Sequence, residues 1–351
     1  MVKKSILIIT NTNDVHALLF GDYLNKNGVD VDYWYCDKYP LYCNASIIFE
    51  SEERTKIKVR LDNGVEKLLS EYGLVWLRKL SRPKLKEFVH EDDLAFSESE
   101  SYKHLCNFLT IASRYSNWIN TFEATEFAER KLVQLEAARD IGFKLPETVV
   151  TSILQETRPL FERHEDVIFK AYTQTSWSVD EALKYNHTAR IEYQEEYAEG
   201  LAFTPSIFQN FVDKAYELRV VVFGNELVAM KIKSSSEESK VDWRGHESTL
   251  QYEHYLLDNS LSAQCLALLK KLNLKFACID IVASNDGTYT FLELNTAGNF
   301  LWMDAEFPEL NLCNKFLNYI LEMLGVEAHY KIDLNEFYDS EVYQNWYVSM
   351  S

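Results

Sequence analysis

The sequence predicts an α/β protein of more than one domain, and three observations carry that expectation. At 351 residues the chain exceeds one ordinary domain. Its beginning alternates strand, helix and strand at a spacing that suits parallel pairing, and its C-terminal part holds two β-rich hairpins joined by glycine-containing turns. With 47% hydrophobic and 26% charged residues, 11 Gly and 6 Pro, large-scale disorder is excluded.

The elements follow in order. Residues 6–10 are a short apolar run behind Lys3-Lys4. They imitate a signal peptide, but the run is too short and ends in the polar Asn11-Thr12-Asn13-Asp14, so it reads as a first strand. A helix is expected over about 15–25, stopping at Gly28, and a second strand over 29–35. A connection of this length favours a parallel βαβ unit, with 74–77 a later strand of the same sheet, ending in Arg78 and Lys79. This half is Rossmann-like in architecture but lacks the Gly-x-Gly-x-x-Gly fingerprint of a dinucleotide site. Asn120-Thr121 offers caps for a helix whose Ala128, Leu132, Leu135 and Ala138 form one apolar stripe, closed by Gly142 and Pro146. Extended runs are expected at 167–172 and 206–212. Residues 216–223 and 226–233 make a hairpin across Gly224-Asn225, a helix covers about 261–272, and 276–282 and 289–295 make a second hairpin across Asp286-Gly287. The expected units are 1–119, 120–205, 206–326 and an acidic aromatic tail, 327–351.

Thirty-six Lys+Arg against 54 Asp+Glu give a net charge of −18, which repels nucleic-acid phosphates and anionic membrane surfaces, so neither is expected as a partner. No run approaches the ~18 apolar residues of a membrane span. Cys36, Cys43, Cys106, Cys265, Cys278 and Cys313 are scattered without a Cys-x-x-Cys pair and read as reduced, mostly buried thiols of a cytoplasmic protein. No histidine pair at metal spacing and no Gly-x-Ser-x-Gly elbow is present.

The second hairpin carries the most chemistry. If Asp286-Gly287 is a two-residue turn, Asn285 faces Thr288, and counting back places Asp280 opposite Glu293, with Asn295 two residues on along the same face. Opposed like charges destabilise a sheet. A divalent cation between them reverses that sign, and two carboxylates with an amide oxygen suit magnesium completed by water and phosphates. The plainer alternative is two acids on a solvated face. Lys170 interrupts an apolar strand, where a charge either edges the sheet or meets an anion. Lys131 lies on the shoulder of a helix, where a lysine is more often a solvated flank than a ligand. Glu217 and Arg219 share a strand face by alternation, and a cross-strand ion pair accounts for them as well. Arg244, in Asp242-Trp243-Arg244, offers a fork for phosphate or carboxylate, or is an ordinary surface arginine.

Taken in order, these residues resemble the ATP-grasp carboxylate-amine ligases, most of all the microviridin-type (graspetide) peptide maturases. The stretches that carry the resemblance are TEFAERKLVQLEAARDIGFKLPET, VIFKAY, SIFQNFVDKAYELRVVVFGNELVAMKI, KVDWR and KFACIDIVASNDGTYTFLELNTAGNFLW. It implies an ATP-grasp fold: an N-terminal Rossmann-like (pre-ATP-grasp) domain, a central lid domain and a C-terminal antiparallel-sheet α+β domain. It further implies ATP and Mg2+ as cofactors. Lys131 and Lys170 would approach the nucleotide phosphates, Gln209, Asn210, Phe211 and Val212 would form the adenine-side hinge through backbone groups, and Glu217 would face the ribose. Arg219 would meet the terminal phosphates, Asp280, Glu293 and Asn295 would hold the metal, and Arg244 would lie near the transferring phosphoryl group or the substrate carboxylate. Arg219, Arg244 and Lys170 are the expected catalytic set. Two departures stand out: Asn295-Thr296-Ala297-Gly298 replaces the maturases' usual Asn-Pro-Asn-Gly, and the hinge reads Gln209-Asn210 instead of Gln-Glu.

The activity implied is ATP-dependent ligation: Asp or Glu side chains of a ribosomally made precursor peptide, with leader and core, are activated as acyl phosphates and closed into ester or amide crosslinks. A homo-oligomer such as a dimer is implied too. The alternatives are a glutamate-ligase-like enzyme that adds amino acids to a peptide or protein, and a non-catalytic nucleotide- or peptide-binding module.

Overall fold

β1 (Ser5–Thr10) is buried along nearly its whole length, as a strand covered on both faces requires, and it occupies the middle of a parallel sheet. The computed structural model describes residues 3–51, 55–172, 176–179, 182–185, 188–234 and 250–350. From β1 the chain runs through α1 (Val15–Lys26) to β2 (Asp30–Tyr35) on one side. An antiparallel meander follows, β3 (Asn44–Ile48), β4 (Lys56–Arg60) and β5 (Glu66–Leu68), before β6 (Leu74–Leu77) pairs with β1 on the other side. The expected strand-helix-strand is thus parallel and extends to 74–77. The change of direction about β1 makes the carboxyl ends of β1 and β6 a topological switch point, where open α/β sheets bind ligands. Asp14, Arg78 and Lys79 stand there, with Arg78 Nε 3.4 Å and Lys79 Nζ 3.8 Å from the Asp14 carboxylate.

α2 (Glu91–Ala112) was hidden in the sequence by its Ser- and Glu-rich first half. Only its end, at Leu105, Phe108, Leu109 and Ala112, is buried against the β1 sheet and the meander. The single helix expected from Asn120-Thr121 is two: α3 (Phe122–Ala128) and α4 (Lys131–Ile141), separated where Arg130 is extended. The break resets the helical phase. Leu132 is 42% exposed, and the face that α4 buries is Gln134, Ala137 and Ala138.

The central unit is a four-stranded sheet in the order β11 (Ala189–Ile191), β8 (Val167–Lys170), β12 (Ser206–Asn210), β7 (Thr148–Thr151), backed by α5 (Arg158–Arg163) and α6 (Tyr197–Phe203). A two-stranded piece, β9 (Ser176–Val179) with β10 (Ala182–Tyr185), lies between β8 and β11 in the chain. β12 therefore belongs to the sheet of the central unit, past the boundary at 205 drawn from the sequence. The C-terminal sheet is antiparallel, in the order β15 (Leu250–Tyr255), β14 (Glu226–Ser234), β13 (Tyr216–Phe223), β16 (Phe276–Ala283), β17 (Tyr289–Asn295). Alternation along β13 divides its two faces. Leu218, Val220 and Val222 pack against α3, α4 and α7 (Asn259–Lys271). Val221 and Phe223 join a core with Phe300, α1 and α9 (Leu312–Met323), which follows α8 (Leu301–Glu306). Arg219 lies on this second face, beyond the apolar covering.

The tail forms α10 (Leu334–Asp339) and α11 (Glu341–Met350). Phe337 is buried in the core shared with α1, Asn27 Oδ1 accepts from the Tyr330 N–H at 2.9 Å, and Trp346 Nε1 donates to the Thr12 carbonyl at 2.7 Å. The six cysteines are free, and all but Cys106 are buried. No helix among the described residues is long and apolar enough to cross a membrane.

One tie between the first and last units titrates. His16, buried on α1, accepts at Nε2 from the N–H groups of Phe300 (3.0 Å) and Leu301 (3.2 Å) at the start of α8. Burial, followed by the nearby Arg78 and Lys79 charges, holds its pKa well below the ordinary 6.5. Below pH 6.5 the unfolded chain binds a proton that the folded one refuses, so stability is expected to fall as pH drops through that value, by up to ~1.4 kcal/mol per unit. Urea midpoints at pH 7 and 5.5 check this. A His16→Gln variant should lose that part of the pH dependence.

Candidate active site

The β16–β17 hairpin reaches the expected pairing by an unexpected route. Its loop has three residues, closed by the Ser284 N–H on the Thr288 carbonyl at 3.0 Å, with Gly287 at φ +81°, a conformation that favours glycine. That shifts the register by one, so Ala283 faces Tyr289 and Ile281 faces Phe291. A bulge at Leu292 shifts it back, and Asp280 faces Glu293. Because of the bulge, Leu292 and Glu293 both line the cleft between the C-terminal and central sheets.

Around this point the charges are dense. Asp280 is 6% and Arg219 7% exposed, and Arg219 Nη1 lies 2.7 Å from both carboxylate oxygens of Asp280, its direct partner across β13 and β16. Burial by itself would lower the Arg219 pKa, but the Asp280 carboxylate more than offsets this and raises it, so the guanidinium stays charged. Asn295 Nδ2 donates to Asp280 Oδ2 at 3.2 Å. Lys131 Nζ is 3.9 Å from Glu293 Oε2. The break between α3 and α4 is what places Lys131 here, since it makes this residue the first of a new helix. Glu217 is buried on the face of Arg219 and paired with Lys214, a residue that sequence reasoning missed.

The central sheet supplies the opposite wall. Lys170, at the end of β8 and opposite Ile207, lines the cleft with Lys131, Leu292 and Glu293. So does Gln209, which is 2% exposed: its Nε2 donates to Thr148 Oγ1 at 2.9 Å, and its buried Oε1 has no hydrogen-bond partner among the described residues. Past Gln209 the backbone is partly committed. The Asn210 N–H bonds the Glu147 carbonyl at 3.1 Å and the Phe211 N–H the Asp166 carbonyl at 2.9 Å; Val212 follows, half-buried. Arg244 lies outside the described residues.

Sequence reasoning also missed Gln134. Its amide accepts from the Leu294 N–H at 2.9 Å and donates to the Leu294 carbonyl at 2.8 Å, completing the outer edge of β17 between Glu293 and Asn295. The one signal for it was a glutamine among the alanines of a buried helical face.

As a metal site the cluster provides two carboxylates and an amide oxygen. No three His, Cys, Asp or Glu side chains are grouped as a metal site among the described residues. Hard oxygen donors this few fit magnesium, which keeps waters and shares its shell with phosphates, and the opposed acids are already balanced by Arg219 and Lys131.

No family model matches the chain, and no curated protein does. Solved structures do. An ATP-grasp ligase of Chryseobacterium gregarium, RiPP-associated and in complex with ADP and a leader and core peptide, is 26% identical, covering 93% of this chain and 99% of its own, with a TM-score of 0.80. The macrocyclase MdnC of Microcystis aeruginosa, bound with its precursor peptide MdnA, is 22% identical over 92% and 99%, TM-score 0.77. The ATP-grasp ligase PsnB, complexed with a minimal precursor, Mg and ADP, is 18% identical over 92% and 98%, TM-score 0.72. The likeness runs over nearly the whole of each chain, and the chain has the ATP-grasp fold in the form that these ligases and macrocyclases share.

Proposed function

We propose that this protein is an ADP-forming ligase that activates Asp or Glu side chains of a ribosomally made precursor peptide and joins them to hydroxyl or amine side chains of the same peptide. The observation that carries the reading is the cluster of Asp280, Glu293 and Asn295 on the bulged hairpin with Arg219 of the neighbouring β13, where Glu293 shares one cleft with Lys131 and Lys170. The peptide-bound states of the Chryseobacterium ligase and of MdnC support the choice of acceptor.

In this reading Lys131, Lys170 and Arg219 hold the phosphates, Glu217 meets the ribose, and the Gln209–Val212 stretch meets the adenine. Gln209 Oε1, without a partner among the described residues, is an acceptor that a ligand donor can satisfy. Asp280, Glu293 and Asn295 would hold magnesium, which when bound supplies positive charge to the phosphate oxygens. Arg244 is assigned to the transferring phosphoryl group or the substrate carboxylate. The substrate carboxylate oxygen bonds to the γ-phosphorus as its bond to the β–γ bridging oxygen breaks, giving an acyl phosphate and ADP. A hydroxyl or amine of the peptide then adds to the acyl carbon, phosphate leaves, and the nucleophile's proton is lost. The residues contribute mostly by fixing geometry and neutralising charge, where phosphoryl transfer gains most. Closure of the central sheet over the cleft would exclude water from the acyl phosphate. The free, mostly buried thiols fit the cytoplasm, where ATP and newly made peptides meet.

The test is intact mass. Candidate precursor peptides encoded beside the gene, rich in Thr, Ser, Lys, Asp and Glu, are incubated with the protein, ATP and magnesium while ADP is assayed. Loss of one water per bond is expected. A gain in mass identifies an amino-acid-adding ligase instead, and absence of both ADP and mass change across the set counts against catalysis.

A further inference from the structure

We propose that Arg78, a buried guanidinium of the N-terminal unit, is a positioning residue for the metal strand and Arg219; this inference rests on the ligase reading above. Arg78 is 2% exposed and stands just past β6 at the switch point of the parallel sheet. From there it crosses to the C-terminal unit. Its Nη1 donates to the Ala297 carbonyl, and its Nη2 donates to Asn299 Oδ1 at 2.8 Å. The Asn299 carbonyl in turn accepts from Arg219 Nη2 at 3.4 Å. Asn299 thus links two cations from different units, four residues beyond Asn295, whose own amide bonds Asp280.

The same segment is held at each neighbouring step. Gln134 secures Leu294, and Glu129 Oε1 accepts from both the N–H (3.0 Å) and the hydroxyl of Thr296. Gly298, at φ +52°, lies so close to β16 that a Cβ would stand 2.6 Å from the Phe276 ring and 2.8 Å from Cys278 Sγ. This is the stretch where the sequence departs from Asn-Pro-Asn-Gly. Side chains that reach the segment from outside hold it along its length, and Arg78 grips its far end.

Stability alone is a poor account of Arg78. Burying a guanidinium costs energy that an apolar side chain of similar volume would not. Its carboxylate partner Asp14 is 3.4 Å from Nε, which makes no hydrogen bond among the described residues. What an apolar residue could not supply is a directional two-pronged hold on a carbonyl and an amide oxygen. Outer supports of this kind typically change metal affinity by about 10–100-fold.

Calorimetric titration of the full chain with ADP, with and without magnesium, tests this without turnover. Arg78→Lys keeps a cation beside Asp14 but cannot grip two acceptors. Its magnesium-linked gain in ADP affinity is expected to fall about tenfold, with a smaller loss of magnesium-free affinity through Arg219. Asn299→Ala, at an exposed position, should shift the same quantity in the same direction by a smaller factor even if Arg78→Lys folds poorly. An unchanged magnesium-linked gain in both variants overturns the inference, as does equal weakening with and without magnesium, which marks a purely structural role. A wild-type chain that binds no ADP overturns the ligase reading itself and takes this inference with it.

Discussion

Glu293→Gln is expected to lower magnesium-dependent ADP formation by about 10²–10³-fold while the protein stays folded. Glu293 is partly exposed, and its contact with Lys131, at 3.9 Å, is the kind of ion pair that contributes at most about 1 kcal/mol to stability. Removing its charge therefore leaves the fold nearly untouched. The cost falls on the reaction, because one of the two carboxylates that the hairpin offers a metal is lost at the point where phosphoryl transfer needs charge neutralised. The measurement is steady-state ADP release with peptide present, alongside a thermal melt. Wild-type rates from a folded variant would remove Glu293 from the metal set.

The largest expected effect on stability lies at Arg219 and Asp280. Arg219→Met leaves the buried Asp280 carboxylate without its guanidinium, and breaking such a pair from one side costs about 3–5 kcal/mol. The double variant, Arg219→Met with Asp280→Leu, buries no charge at this place and is expected to recover most of that loss in urea unfolding. It should nevertheless form no ADP. That combination separates the two accounts of the pair, since a cross-strand ion pair that only braces the sheet can be exchanged for apolar residues without loss of catalysis. A stable double variant with wild-type turnover would show bracing to be its whole role.

The sequence was most legible where rules act over a few residues. Counting back from an assumed two-residue turn at Asp286-Gly287 put Asp280 opposite Glu293, and this pairing is observed, although the turn has three residues and the bulge at Leu292 cancels the shift. Such irregularities leave weak signals, because an Asp-Gly pair suits turns of two lengths and a bulge needs only one extra residue. The bulge in turn directs Leu292 into the cleft, which strict alternation would have pointed away.

By itself, then, the sequence determined the parallel strand-helix-strand, the two hairpins, and the carboxylates and cations available to the site, because hydrophobic period and turn chemistry are local properties. The tertiary structure decided which of them meet. A break at Arg130 turned Lys131 toward Glu293, sheet pairing gave β12 to the central unit, and burial brought Arg78 to Ala297 and the tail to α1. Those outcomes depend on contacts between residues far apart in the chain, which no local pattern encodes and which form only as apolar faces are buried together.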